Sequence, residues 1–137
     1  MGYPGRQNIY DATIRRMVQK ALEEQEQAFA LDHETDTDEQ LLHYLRESAI
    51  RLHHTPWPGE ILGGSFIQSR FGSWSHALIQ ARLPAPRQMS QSQNFARVQA
   101  ETERQREIYR QRKLEKKKIA AQRRAEQAAR KRKEENI

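Results

Sequence analysis

From Ser90 to residue 137 the chain contains neither proline nor glycine, and Ala, Glu, Gln, Lys and Arg dominate it. These residues are strong helix formers, and nothing in the segment interrupts them. Arg97/Glu101, Glu126/Arg130, Arg130/Glu134 and Lys131/Glu135 stand at i,i+4, with Glu107/Arg110 and Glu115/Lys118 at i,i+3, so opposite charges meet on a helix surface. Apolar residues are sparse: Phe95, Val98, Ile108, Tyr109, Leu114 and Ile119 do not sustain a heptad. The spacing predicts a long exposed helix of ~60 Å or more, fraying at its end, rather than a coiled coil. Any compact core must come from the residues before it.

Composition agrees with that division. Hydrophobic residues make up 36% and charged residues 31% of 137 residues, with a mean hydropathy of −1.03. Globular domains carry roughly 45–50% and about 25% respectively, so one core built from the whole chain is not expected. The absence of cysteine excludes disulfide frameworks, thiolate metal sites and cysteine nucleophiles. Apolar runs fall far short of the ~20 residues that span a bilayer, and the opening MGYPGRQNIYDATIRR lacks the apolar stretch of a secretory signal. The expectation is a soluble cytoplasmic protein, nucleoid-associated if bacterial, with no membrane partner.

The net charge of +6 is unevenly spread. Residues 1 to 39 hold four Lys/Arg against nine Asp/Glu, residues 40 to 87 hold five against two, and residues 88 to 137 hold fifteen against seven. An acidic front thus leads through a mildly basic middle to a strongly basic tail, which favours an acidic partner for the C-terminal part. The expected organisation follows these limits: an amphipathic helix with an acidic connector over 1–37, a helical domain over 38–87, and the charged helix over 88–137.

Residues 11 to 30 read as a helix capped by Asp11. Ile14, Met17, Val18, Ala21, Leu22, Ala28 and Phe29 form its apolar stripe. Such a stripe docks on the middle domain, on a protein partner or on a second copy. After LDHETDTD, Thr37 and Gln40 form a capping box for a helix from Asp38 to about His53, burying Leu41, Leu42, Leu45, Ala49 and Leu52. Thr55-Pro56-Trp57-Pro58-Gly59 breaks it, and Glu60 to Leu62 allow one short turn. Ser65 is expected to cap a helix to Phe71, which Gly72 ends. Ser73 is expected to cap a last helix to Arg82, burying Trp74, Ala77, Leu78 and Ala81. The outline is an all-α, helix-turn-helix-like unit whose small core leans on the first helix.

Leu52-His53-His54-Thr55-Pro56, Phe71-Gly72-Ser73-Trp74 and Ala77-Leu78-Ile79-Gln80-Ala81-Arg82-Leu83 together resemble the homing-endonuclease-associated, or HNH-associated, repeat. The resemblance covers residues 38 to 83 and implies a small helical DNA-binding module that accompanies nucleases without being one. Arg82 departs from the pattern, which has glycine after Ala81, and Trp57 lies outside it.

No nuclease constellation, phosphate-binding glycine loop or HExxH motif is present, so the expectation is no enzyme and no cofactor. His53 and His54 are adjacent and would face about 100° apart on a helix, and His43 and His76 lack a matched ligand at i+3 or i+4, so no metal site is expected. Phe71 and Trp74 are read as core rather than as base-stacking aromatics. The outward residues Ser65, Gln68, Ser69 and Arg70 are the candidates for reading a DNA groove, since Gln matches adenine and Arg matches guanine bidentately. Arg46, Arg51 and Arg82 would contact phosphates. In the tail, Lys116, Lys117, Lys118, Arg130, Lys131, Arg132 and Lys133 would add phosphate affinity, against the plainer reading of a solvated helix. The sequence thus points to a non-enzymatic DNA-binding accessory or regulatory protein. The rival is an assembly factor whose first helix docks a protein and whose tail binds RNA or a ribonucleoprotein.

Overall fold

The computed structural model describes residues 4 to 87 and 93 to 136. The elements in chain order are α1 (Pro4–Asp32), α2 (Asp38–Leu52), a 3-10 turn (Pro58–Glu60), α3 (Gly64–Phe71), α4 (Trp74–Gln80) and α5 (Phe95–Glu135). There is no strand among the described residues, so the fold is all-α. The chain divides into two units, residues 1 to 102 and residues 103 to 137.

In the first unit, α2 begins as its sequence dictates. The Thr37 side chain accepts from the Gln40 N–H at 3.2 Å, and the Gln40 side chain accepts from the Thr37 N–H at 2.8 Å. Asp38 and Glu39 occupy the first turn, where negative charge suits the helix dipole. Leu41, Leu42 and Leu45 then meet Ile61, Ile67, Trp74, Ala77, Leu78 and Ala81 in the core, with Leu52, Phe66, Phe71 and Leu83 half-buried around it. The Trp74 indole N–H donates to the Pro56 carbonyl at 3.0 Å, so the largest core side chain also pins the proline segment. Ser73 caps α4 by accepting from the His76 N–H at 3.1 Å.

Several boundaries differ from the sequence reading, among them the end of α4, at Gln80 instead of Arg82. Helix α1 starts at Pro4 instead of Asp11, because proline is tolerated in a first turn and no cap at Asp11 is needed. The short turn falls on Pro58–Glu60 instead of Glu60 to Leu62, with the Glu60 carboxylate accepting from the Trp57 N–H at 3.0 Å. Gly63 replaces Ser65 as the residue preceding α3, without a side-chain cap. Gly63 is left-handed at φ 83°, and a Cβ there would overlap the Phe29 ring; one on Gly64 would run into the Pro58 backbone carbonyl. The two glycines thus let α3 start against both α1 and the turn. The charged helix expected over 88–137 includes residues 88 to 92 and 137, which lie outside the described residues.

Helix α1 docks through Phe29, whose ring lies 5.2 Å from Tyr44 and 6.0 Å, edge-on, from Phe66. Ile14, Val18 and Phe29 are buried, whereas Ala28 is exposed. Phe29 follows Val18 by three turns and falls within about 20° of it, while Ala28 falls about 80° away. A polar clamp lies beside this contact. Glu26 accepts from the Gly63 N–H at 3.0 Å and from Arg97 at 3.1 Å, and Arg97 also donates to the Gly59 and Ile61 carbonyls at 3.2 and 3.1 Å.

Tyr44 donates to the Leu62 carbonyl, and burial pushes its phenol above the ordinary value, against the opposing influences of the Ser48 hydrogen bond and Arg51. An unfolded tyrosine ionises near pH ~10. The native state therefore keeps a proton that the unfolded state sheds, and stability falls as pH rises from about 10 through the raised native value. Denaturant titrations at neutral pH and above about pH 10 should show this alkaline loss, and Tyr44→Phe should reduce it. An identical loss in the variant would assign it to other groups.

In the second unit, the helix continues from Glu103 to Glu135, and residues 110 to 119 and 121 to 135 are all exposed. Its one described aromatic contact of a cation is Lys113, whose ammonium lies 5.0 Å from the Tyr109 ring centre. No helix among the described residues is long and apolar enough to cross a membrane.

Candidate nucleic-acid interface

Two surfaces of the first unit carry the residues singled out by sequence. One is the outer face of α3. Ser65, Gln68, Ser69 and Arg70 are all exposed there, as the helical spacing requires. Arg70, however, donates to the Asp38 carboxylate at 3.1 Å and to the Asp36 carbonyl at 3.0 Å. It ties the end of α3 to the start of α2, and its guanidinium is occupied. Gln68 and Ser65 instead line a recess of about 830 Å³ beside Trp57 and Trp74. Trp57 is half-buried, with its indole N–H donating to the Arg87 carbonyl at 2.9 Å.

The other surface lies where the C-terminal ends of α2 and α4 come together. A groove of about 1230 Å³ there is lined by residues that include Arg46, His53, His54, Arg82 and Arg87. Arg46, expected to point outward, is half-buried: it donates to the Ala81 carbonyl at 3.2 Å and pairs with Glu39 at 3.0 Å. It thereby satisfies the last turn of α4 and is partly neutralised. Arg51, Arg82 and Arg87 are exposed and form no ion pair among the described residues. His54 pairs with Glu60 at 2.6 Å. No cluster of three histidine or acidic side chains suited to a metal ion occurs among the described residues.

Arg82 closes α4 in a particular way. Its N–H donates to the Ile79 carbonyl at 3.0 Å and the Leu83 N–H donates to the Leu78 carbonyl at 2.9 Å, while Arg82 itself is left-handed at φ 60°. This is the Schellman closure, whose left-handed position is usually glycine. A side chain there costs about 1–2 kcal/mol. Arg82→Gly should therefore stabilise the fold by about 1 kcal/mol after glycine's own entropic cost, read as a higher Tm. A lowered Tm would show that the arginine side chain holds the fold.

Sequence reasoning picked out Arg46, Arg51, Arg82 and the α3 face, and read His53 as a surface or phosphate-contacting histidine rather than a metal ligand, but missed Arg87. Arg87 stands just after Pro84-Ala85-Pro86, and only the long-range Trp57 bond reveals where that segment lies. What the structure adds at His53 is its left-handed backbone at the end of α2.

Taken together, these features define a small all-α module with an exposed basic edge. Residues 36 to 84 match the family model of the homing endonuclease associated repeat, slightly wider than the stretch expected from the motifs. No curated protein and no solved structure gives a significant match to the chain.

Proposed function

We propose that the protein binds duplex DNA in an accessory or regulatory role, without acting on it chemically. The repeat makes the primary contact, and the basic stretch of α5 adds affinity for the phosphate backbone. The observation that carries this reading is the repeat match over residues 36 to 84, in a region whose Arg51 and Arg82 are exposed and without described ion pairs. The family is described as associated with homing endonucleases, enzymes that act on DNA, and the unpaired arginines supply the charge that DNA binding requires.

The direct test is equilibrium binding of the full chain to a random duplex, with a structured RNA as competitor, at two salt concentrations. Duplex preference with strong salt dependence is the expected result. Preference for RNA would favour an assembly factor acting on a ribonucleoprotein instead. Incubation of the duplex with the protein and magnesium should leave it uncut.

Within this reading Gln68 is the residue best placed to distinguish bases, since Arg70 is engaged elsewhere. Gln68→Ala should narrow the gap between a selected site and random DNA by roughly 1–3 kcal/mol. Equal weakening on every sequence would make Gln68 a backbone contact. Arg70→Ala should act mainly on stability, through its lost bonds to Asp38 and Asp36.

A further inference from the structure

The positive-φ residues other than glycine among the described residues are His53, at φ 61°, and Arg82, at φ 60°. They end different helices, 29 positions apart in sequence, yet both line the same groove. At each, the chain carries a side chain with nitrogen donors where glycine would fit the backbone more easily. Left-handed non-glycine residues concentrate where the side chain has a use other than packing. Both side chains are exposed, so packing does not explain them.

The electrostatics of the groove are decided by side chains. Converging helix C-termini present carbonyl oxygens, which by themselves repel an anion. Arg46 covers one of them, the Ala81 carbonyl, and spends its remaining charge on Glu39. Arg82 and Arg87 are left as guanidinium groups without ion pairs among the described residues, and His53 adds a ring donor beside them. Arg87 is held in place by its backbone, through the bond from Trp57, so its side chain is not needed for the fold.

We infer that this groove seats the phosphodiester backbone of the duplex, with Arg82 and Arg87 as its phosphate ligands and His53 as an accessory donor. The inference rests on the DNA reading given above and locates its phosphate contact at the ends of α2 and α4, where Arg87 and His53 join the Arg82 expected from sequence. Planar guanidinium donors match phosphate oxygens bidentately, which lysine cannot reproduce.

The test compares the full chain with three variants: Arg82→Gly, Arg87→Ala, and Arg15→Ala, an exposed α1 residue that removes the same unit charge away from the groove. Binding to a random 20-base-pair duplex is followed by fluorescence anisotropy across a salt series, with Tm measured in parallel. Arg82→Gly is expected to raise Tm while weakening binding about three- to tenfold at low salt, with the log–log salt slope reduced by about 0.9. Arg87→Ala should weaken binding similarly at unchanged Tm, and Arg15→Ala should match the parent. Opposite movement of stability and affinity in Arg82→Gly is something a structural role would not produce. Parent-like slopes in both groove variants would overturn the groove while leaving DNA binding intact. Equal losses in all three variants would reduce the effect to bulk charge and also overturn it. Failure of the parent chain to bind any duplex would remove both the function and the site.

Discussion

Trp74→Ala is expected to cost roughly 3–5 kcal/mol and to abolish cooperative unfolding of the first unit. Trp74 is 8% exposed and lies in the core cluster with Leu41, Leu45 and Ile67. The truncation opens a cavity that the short helices α3 and α4 cannot collapse without losing their seats on α2. It also leaves the Pro56 carbonyl without its donor. A core this small supplies stability near the lower end of the range of about 5–15 kcal/mol found for native proteins, so the loss takes most of it. Trp74→Phe separates the two contributions, keeping much of the ring volume while removing the N–H; it should retain a cooperative transition at reduced stability. Chemical denaturation followed by far-ultraviolet circular dichroism reads both. A cooperative, parent-like transition for Trp74→Ala would show that the core does not depend on this ring.

The second large effect concerns α5. Replacing Lys116, Lys117, Lys118, Arg130, Lys131, Arg132 and Lys133 by glutamine should flatten the salt dependence of DNA binding by about three log–log units. Seven charges do not give seven contacts, because successive helical residues point about 100° apart. Of the seven, Lys116, Lys117, Arg130 and Lys131 fall within an arc of about 140°, so they share one side of the helix. A duplex laid along that side meets about four charges. Three lost units correspond to about a 60-fold difference in affinity change between 50 and 200 mM salt, large enough to read in one titration series. Any sequence preference of the repeat should survive, since phosphate contacts do not choose bases. A slope unchanged by the seven substitutions would make this stretch a solvated helix that keeps the chain dispersed.

What the sequence revealed was local. The Thr37/Gln40 box, the Ser73 cap and the apolar face of α2 each depend on residues a few positions apart, and all three were legible. The long α5 was legible for the same reason, since its helix needs no distant partner. The pairing of Arg70 with Asp38 and of Arg46 with the Ala81 carbonyl joins residues 32 and 35 positions apart. No spacing rule reports such a partner, so both arginines read as free when they are not. Arg82 shows the intermediate case. The motif marked it as standing at a glycine position, but its left-handed backbone and the shared groove with His53 emerged only with the fold in three dimensions.

The clamp at Glu26 and Arg97 bears on how far the repeat can be treated as a cassette. Its family boundaries are 36 and 84, yet the backbone of its inner turn, at Gly59, Ile61 and Gly63, is held by side chains from positions 26 and 97. Phe29, also outside those boundaries, packs where a Gly63 Cβ would stand. Grafted alone into another protein, residues 36 to 84 would leave two carbonyls and one amide of that turn without these partners and would expose the aromatic seat of Phe29. The portable piece is therefore longer than the recognisable one. It begins in α1, before the acidic connector, and ends within the first turns of α5.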